Sequence, residues 1–102
     1  MDRSIEELNR YQAPLLVRSE VRIYSNPFSE VLIFEIFGIE DEQLEIEVYN
    51  QLGQLVFLEN KHILRTGKQF IIWTPELLST ELYFYRIFIN REEYANGVIF
   101  RQ

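Results

Sequence analysis

Most of the chain alternates between hydrophobic and polar residues with the two-residue period that is typical of β-strands. The segment 44–49 gives the clearest alternation. Leu44, Ile46 and Val48 alternate there with Glu45, Glu47 and Tyr49. The segment 31–37 is instead apolar almost throughout, with Glu35 as its one acid. Such a run indicates a strand that is covered on both faces or lies at the heart of a sandwich. The pattern therefore favours an all-β domain.

Turn signals divide the chain into about seven strands. Residues suited to turns, among them Asn26, Pro27 and Gly53, interrupt the apolar pattern at intervals of roughly 8–12 residues. We predict strands at residues 21–24, 31–37, 44–49, 55–58, 70–73, 82–89 and 94–101. Residues 60–66 are expected to form a polar connection and residues 90–93 a tight turn. Strands of this length and spacing predict an immunoglobulin-like antiparallel β-sandwich.

The N-terminal segment has a different pattern from the rest of the chain. Ser4 and Glu7 match a helix capping box, and Pro14 would end any helix that starts there. We therefore interpret residues 1–20 as a linker or a short helix. The remaining residues, 21–102, are expected to form one β-sandwich domain, since a chain of 102 residues has room for a single domain.

Composition supports a folded domain and limits its partners. Hydrophobic residues make up 47% of the chain, so core material is plentiful. The formal charge of −6 disfavours binding to nucleic acid or anionic lipid, and the apolar runs are too short for a membrane-spanning helix. We therefore expect no nucleic-acid partner and no membrane insertion. The absence of cysteine excludes disulfides and thiolate metal sites. No signal peptide is recognisable, so an exported form is expected to carry its leader upstream.

Residue types that carry enzyme chemistry do not form a recognisable set. His62 is the one histidine, and a metal site or catalytic dyad would need a second nitrogen or sulfur ligand, so we expect an exposed loop residue. The acidic stretch 40–42 lacks the ligand order of a calcium loop and is expected to be solvated. Glu35 is expected to face solvent or to pair with a lysine or arginine. We predict no catalytic residue, no cofactor-binding residue and no metal ligand, and hence a protein that is not an enzyme.

Five stretches of the chain form an ordered set that is not catalytic. They are Tyr24-Ser25-Asn26-Pro27-Phe28, Val48-Tyr49-Asn50-Gln51-Leu52-Gly53-Gln54-Leu55-Val56, Gly67 with Trp73, Leu82-Tyr83-Phe84-Tyr85-Arg86-Ile87, and Asn96-Gly97-Val98-Ile99-Phe100-Arg101-Gln102. This order resembles the type A C-terminal sorting domain of the type IX secretion system, over about residues 21–102. That family typically shows a Tyr-Pro-Asn-Pro opening, a Val-Tyr-Asn-x-Leu-Gly-x-x-Val hairpin, a Gly-x-Tyr strand and a Gly-Lys-hydrophobic ending. The chain departs from the pattern at Ser25, Glu81 and Val98, where proline, glycine and lysine are usual.

The resemblance implies a secretion signal that directs an attached cargo protein through the type IX outer-membrane translocon. The implied partners are that translocon, a sortase-like peptidase and a covalently linked N-terminal cargo domain, with no cofactor. The domain would cross the periplasm and reach the cell surface or the exterior, with cleavage within residues 10–20. We expect the hairpin at residues 49–56 and the terminal strand to form the recognised face. The motif positions expected to serve translocon recognition are Asn26, Pro27, Tyr49, Leu52, Gly53, Val56, Gly67, Tyr83, Gly97, Val98 and Ile99.

Two alternatives from other classes remain open. A non-catalytic immunoglobulin-like binding module would hold a sugar or a protein on exposed aromatic residues, with Trp73 or Phe28 facing solvent. A structural module of a cell-surface protein would pair its terminal strand with a neighbour. We expect Trp73, Tyr83 and Tyr85 to lie in the core, because aromatic residues at strand spacing are more often buried than exposed. Burial of Trp73 and Tyr83 would count against the first alternative.

Overall fold

The folded chain forms two antiparallel β-sheets. The computed structural model describes residues 21–24, 30–75 and 81–101. The strands within these residues are β1 (Val21–Tyr24), β2 (Leu32–Gly38), β3 (Gln43–Tyr49), β4 (Leu55–His62), β5 (Gly67–Trp73), β6 (Glu81–Ile89) and β7 (Glu92–Arg101). The linker or helix expected at residues 1–20 lies outside the described residues, as does the turn predicted at Asn26 and Pro27.

The two sheets pack face to face as a sandwich. One sheet has three strands in the order β1-β2-β5, and the other has four in the order β4-β3-β6-β7. Every neighbouring pair is antiparallel. The chain passes from one sheet to the other after β2, β4 and β5, so each sheet contains strands that are distant in the sequence. The predicted immunoglobulin-like β-sandwich is confirmed, with β3 and β6 as inner strands and β4 and β7 as edge strands of the larger sheet.

The core lies between the sheets and follows the two-residue period of the sequence. On β3, Leu44, Ile46 and Val48 are fully buried, whereas Glu45 and Glu47 point away from the core and are half-exposed. Burying an aliphatic side chain of this kind contributes about 1.5–3 kcal/mol. The other buried hydrophobic residues are Leu32, Phe34, Ile36, Ile63, Ile71, Trp73, Tyr83, Ile87, Ile89 and Ile99.

Aromatic contacts join the two sheets. The rings of Trp73 on β5 and Tyr83 on β6 meet edge to face, with centroids 5.1 Å apart. Phe34 on β2 and Tyr85 on β6 make a second edge-to-face contact at 5.9 Å. Trp73 and Tyr83 are both buried and Tyr85 is half-buried, which confirms the prediction that these aromatic residues belong to the core. A binding module that presents Trp73 to its ligand is therefore disfavoured.

The boundaries of β4 and β5 differ from the prediction. The first three residues of the polar connection expected at 60–66 belong to a strand, because β4 continues to His62, which pairs with Gln43. The hydrogen-bond ladder with β3 requires no apolar side chain, so a polar segment carries no sequence signal for it. β5 begins at Gly67, opposite Gly38, which is three residues before the predicted start of this strand.

The turn between β6 and β7 is shorter than predicted. It consists of Asn90 and Arg91, whose φ angles are 51° and 72°. Positive φ at both central residues is what a type I′ hairpin turn requires. As a result β7 begins at Glu92, before the expected start at Tyr94. A register shift opposite the Ile87 and Phe88 positions of β6 accommodates Tyr94 as the additional residue of a bulge.

Candidate recognition surface

The hairpin loop between β3 and β4 is held in shape by the side chain of Asn50. Its Oδ1 atom accepts hydrogen bonds from the backbone N–H groups of Leu52, at 3.0 Å, and Gln54, at 2.9 Å. Its Nδ2 atom donates to Gln54 Oε1 at 2.8 Å. Gly53 has a φ of 84°, a left-handed conformation that favours glycine. The braced loop holds Leu52 at its tip, with 83% of that residue exposed.

A β-bulge next to this loop turns two apolar side chains outwards. Val48 pairs with Phe57, whereas Tyr49 pairs with Leu55, so Val56 is the additional residue of β4. Leu55 and Val56 are both exposed, while Phe57 packs against the core. The β4 side of the hairpin therefore adds two apolar side chains to the outer face of the four-stranded sheet.

An apolar row crosses this outer face from the hairpin to the terminal strand. Tyr49 on β3 pairs with Phe84 on β6, and Phe84 pairs with Val98 on β7. Phe84 and Val98 are exposed, as is Phe100 in the next row. Together these residues form a surface that we call the apolar platform, which consists of Tyr49, Leu55, Val56, Phe84, Val98 and Phe100.

Charged side chains border the apolar platform on the same outer face. Glu47, two residues before Tyr49 on β3, lies opposite Arg86 on β6. Arg86 donates from Nε and Nη2 to Glu93 Oε1, at 3.0 Å and 2.9 Å, and its Nη1 lies 3.9 Å from Glu47 Oε1. Hydrogen bonds from Asn96 and Arg86 hold the pKa of Glu93 below its ordinary value. The Arg86 guanidinium therefore interacts with two carboxylates, those of Glu47 and Glu93.

Glu45 extends this acidic region further along β3. A hydrogen bond with Glu47 raises the pKa of Glu45 above its ordinary value, and desolvation and repulsion from Glu47 act in the same direction. No lysine or arginine within residues 30–75 and 81–101 forms an ion pair with Glu45. The two glutamates line an open groove of about 810 Å³, whose other lining residues are Gln43, Asn60, Phe88, Asn90 and Arg91. The apolar platform is therefore flanked by negative charge.

Five of the predicted recognition residues have roles in the fold. These are Gly53, Gly67, Tyr83, Gly97 and Ile99. Gly53 and Gly67 have φ angles of 84° and 146°, which side chains other than glycine rarely adopt. A β-carbon at Gly97 would collide with a neighbouring aromatic ring. Tyr83 and Ile99 are buried in the core. A partner could therefore sense Tyr83 and Ile99 only through the shape that they give the domain, whereas Gly53 is exposed in the hairpin loop.

Four other predicted residues have surface that a partner could contact. Tyr49, Val56 and Val98 lie on the apolar platform, and Leu52 lies at the tip of the adjoining loop. The hairpin and the terminal strand, expected to form one face, do lie on the same side of the same sheet. Which of these residues a partner contacts stays a prediction.

Several residues of this surface were not among the predicted ones. Phe84 connects the two motifs, and the alternation within residues 82–89, which separates it from buried Tyr83, is the signal that could have found it. Leu55 and Phe100 lack such a signal, because the bulge and the β6–β7 register decide their orientation. Asn50 lies inside the hairpin motif, but its bracing role depends on loop geometry.

Glu35 on the outer face of the three-stranded sheet forms an ion pair, one of the two outcomes expected for it. Its carboxylate accepts a hydrogen bond from the Tyr24 hydroxyl and lies 3.6 Å from Lys68 Nζ. The Tyr24 hydrogen bond is the main cause that lowers the pKa of Glu35, and the same bond raises the pKa of Tyr24. Since these residues belong to β1, β2 and β5, the cluster ties the smaller sheet together.

His62 is exposed as predicted, but it ends a strand and does not lie in a loop. Its Nδ1 lies 3.2 Å from Gln43 Oε1 and its Nε2 lies 3.4 Å from Asp41 Oδ1. In the part of the chain that the structure describes, no group of three or more histidine, cysteine, aspartate or glutamate residues is placed to hold a metal ion. The same part contains no helix long and apolar enough to cross a membrane.

The fold and this surface define the class of the protein: a small immunoglobulin-like β-sandwich module with a partly apolar outer face. The family of secretion system C-terminal sorting domains matches the chain over residues 22–101. The chain belongs to this family, which serves the type IX secretion system, and its role is that of a C-terminal sorting signal. The resemblance seen in the sequence is confirmed for the family, and the type A subtype stays a prediction.

A solved structure with the same fold is the crystal structure of dimeric latent PorU from Porphyromonas gingivalis. The similarity has a TM-score of 0.69 at 20% sequence identity and covers 79% of this chain. It covers 9% of that chain, so the present chain corresponds to a small part of the longer protein. At this identity the likeness shows the fold alone. Among curated proteins, no sequence matches this chain.

Proposed function

We propose that this domain directs a covalently attached N-terminal cargo protein through the type IX outer-membrane translocon, which recognises the apolar platform and the adjoining loop. The observation that supports this proposal is the meeting of Tyr49 and Val98 through Phe84 on one exposed face. Tyr49 belongs to the hairpin motif and Val98 to the terminal motif, which are far apart in the sequence. One partner surface could therefore contact both motifs together.

The platform is suited to recognition because its shape is set before a partner arrives. β3 and β6 are inner strands, so the backbone under Tyr49 and Phe84 is paired on both sides. Asn50 fixes the loop that carries Leu52. A preformed surface loses little conformational entropy on binding, which favours recognition even when the contact area is small.

Export to the cell surface or the extracellular space follows from family membership. In this proposal the folded domain crosses the periplasm, and a sortase-like peptidase then separates it from its cargo by cleavage within residues 10–20. The domain contributes recognition alone and performs no chemistry of its own. The residues that serve the fold, such as Gly53 and Tyr83, would affect export through the stability of the domain.

A second function, strand pairing within a structural surface protein, is favoured by the position of β7 at the edge of the four-stranded sheet. An exposed strand edge can accept a strand from another protein. A structural module of this kind would not depend on the type IX translocon, so an export experiment separates the two functions.

The proposed function is tested by fusing the complete chain behind an exported fluorescent reporter. The fusion is expressed in a host with the type IX machinery and in its translocon-deficient mutant. We expect the reporter at the cell surface or in the medium only in the competent host. A reporter that stays in the periplasm of both hosts, with the domain shown to be folded by resistance to protease, would refute active sorting.

A further inference from the structure

The apolar platform has an acidic border on one side. Its central residues lie on β3 and β6, which are hydrogen-bonded to a neighbouring strand on both sides. The row after Tyr49, Phe84 and Val98 on the outer face contains Glu47 and Arg86, which are paired across β3 and β6. The platform and its border therefore form one continuous surface in which an apolar row lies directly beside a charged one.

The border carries more negative than positive charge. Glu45, Glu47 and Glu93 supply three carboxylates, whereas Arg86 and Arg91 supply two guanidiniums. The guanidinium of Arg86 is already hydrogen-bonded to Glu93 and lies over the ring of Phe88 at 4.9 Å. The hydrogen bond between Glu45 and Glu47, together with burial and the repulsion between the two carboxylates, raises the pKa of Glu45. A positive charge brought to this border by a partner would relieve that repulsion.

The charge distribution argues against the other possible occupants of the platform. Two copies of the chain that used the same patch would bring two acidic borders together, and each chain has a formal charge of −6. An anionic lipid surface or a nucleic acid would be repelled by the same charge. A protein surface of the opposite sign meets neither obstacle.

We propose that the apolar platform docks a protein surface whose apolar centre is bordered by lysine or arginine side chains, with those cations over Glu45 and Glu47. This inference rests on the proposed sorting function and describes the chemistry of the translocon surface that binds the domain. The cations would add specificity and speed of association, while the apolar row supplies the main contact.

The size of the platform indicates a transient contact. Its central row crosses four strands, which span about 14 Å at the usual spacing of about 4.8 Å between strands. A stable complex buries roughly 800 Å² on each partner, the area of a square with sides of about 28 Å, so a platform about 14 Å wide covers less than a stable complex needs. A sorting domain that must be released after translocation is suited to such a contact.

The test compares matched pairs of variants in the reporter fusion. Phe84→Ser with Val98→Ser removes the centre of the platform. Phe70→Ser with Ile72→Ser removes two apolar side chains of similar or greater exposure, 51% and 59% against 42% and 49%, on the outer face of the other sheet. We expect export to fall at least about tenfold for the platform pair, which is the size of effect usually seen when residues at the centre of an interface are truncated. Export should change little for the control pair. Thermal unfolding of the purified full chains shows whether each pair is folded, and Val98→Ser alone replaces the platform pair if it is not.

The acidic border is tested in the same way. Glu45→Gln with Glu47→Gln removes two charges, while glutamine at position 47 can still accept the Tyr49 hydrogen bond. The control is Glu30→Gln with Glu40→Gln, which removes two exposed charges outside the four-stranded sheet. We expect the border pair to reduce export by up to about fivefold, which matches the upper end of the contribution that exposed ion pairs usually make. The control pair should have no effect.

Four results would overturn this inference. Normal export of the platform pair, while the unsubstituted fusion is sorted, would refute it and leave the sorting function intact. Increased export of the border pair would indicate an anionic partner such as lipid. A dimer of the full chain in sedimentation equilibrium that the platform pair abolishes would assign the platform to a second copy. Failure of the unsubstituted fusion to be exported would refute the sorting function and this inference together.

Discussion

The ring of Tyr85 lies against the α-carbon of Gly97, its partner across β6 and β7, so closely that a β-carbon at position 97 would stand 2.7 Å from the phenol oxygen. Tyr85 cannot move aside freely, because its ring also packs against Phe34 in the opposite sheet. Burial of this ring raises the pKa of Tyr85 above its ordinary value. The terminal-strand glycine of the sorting motif is thus explained by packing inside the domain.

We predict that Gly97→Ala destabilises the domain by about 1–3 kcal/mol, the usual cost of overpacking. Replacing Tyr85 by alanine removes the ring, so Gly97→Ala should cost little in a Tyr85→Ala background. Urea unfolding of the four chains in this cycle measures the coupling. Equal losses in the two backgrounds would show that the contact with Tyr85 is not the reason for the glycine.

The β6–β7 turn offers a stabilising substitution. Arg91 has a φ of 72°, a conformation that is unfavourable for a residue with a side chain. Arg91→Gly should therefore raise the free energy of unfolding by about 0.5–1 kcal/mol, after allowance for the greater freedom of glycine in the unfolded chain. Arg91→Ala, which removes the same charge and keeps a β-carbon, is the control and should give no such gain. An equal gain from both variants would assign the effect to charge.

The Tyr24–Glu35 hydrogen bond should make stability depend on pH in the acid range. Because this bond lowers the pKa of Glu35 in the folded state, its stabilisation is complete above the unfolded value of about 4.3 and is lost as pH falls through the folded pKa. Tyr24→Phe removes the donor, so it should be less stable than the unsubstituted domain at pH 7. The difference should narrow at pH 3, because part of the stabilisation is lost once the carboxyl is protonated in the unfolded chain. Urea unfolding at the two pH values checks this, and an unchanged difference would exclude Glu35 as the titrating group.

The loop tip provides a test of recognition that leaves the core untouched. Leu52 and Leu64 are 83% and 75% exposed, and Leu52 lies in the hairpin loop beside the platform whereas Leu64 lies in the β4–β5 connection. We predict that Leu52→Ser reduces export of the reporter fusion several-fold and that Leu64→Ser does not, with thermal unfolding unchanged in both. Equal export of the two variants would remove Leu52 from the recognised surface.

Much of the fold could be predicted because the larger sheet buries one of its faces. Leu44, Ile46 and Val48 alternate with glutamates, so the sequence alone indicates both the strand and the side that faces the core. The extension of β4 to His62 could not be predicted, because polar residues there are held by backbone pairing with β3. The early start of β7 depends on positive φ at Arg91, which no residue preference indicates.

The candidate site could be predicted only in part. The motifs located the hairpin and the terminal strand, and both contribute to the apolar platform. The motifs did not indicate that Gly97 is required by packing while Val98 is exposed, because that difference is set by the register between β6 and β7. The alternation within residues 82–89 could have shown that Phe84 faces outwards, but its position between Tyr49 and Val98 follows only from two strand pairings.

The proposed sorting function is tested most directly by the distribution of the reporter fused to this chain, measured in the competent host and in the translocon-deficient mutant. We expect the reporter to reach the cell surface or the medium in the competent host and to be retained in the periplasm of the mutant. Retention of a folded fusion in the periplasm of both hosts would contradict the sorting function.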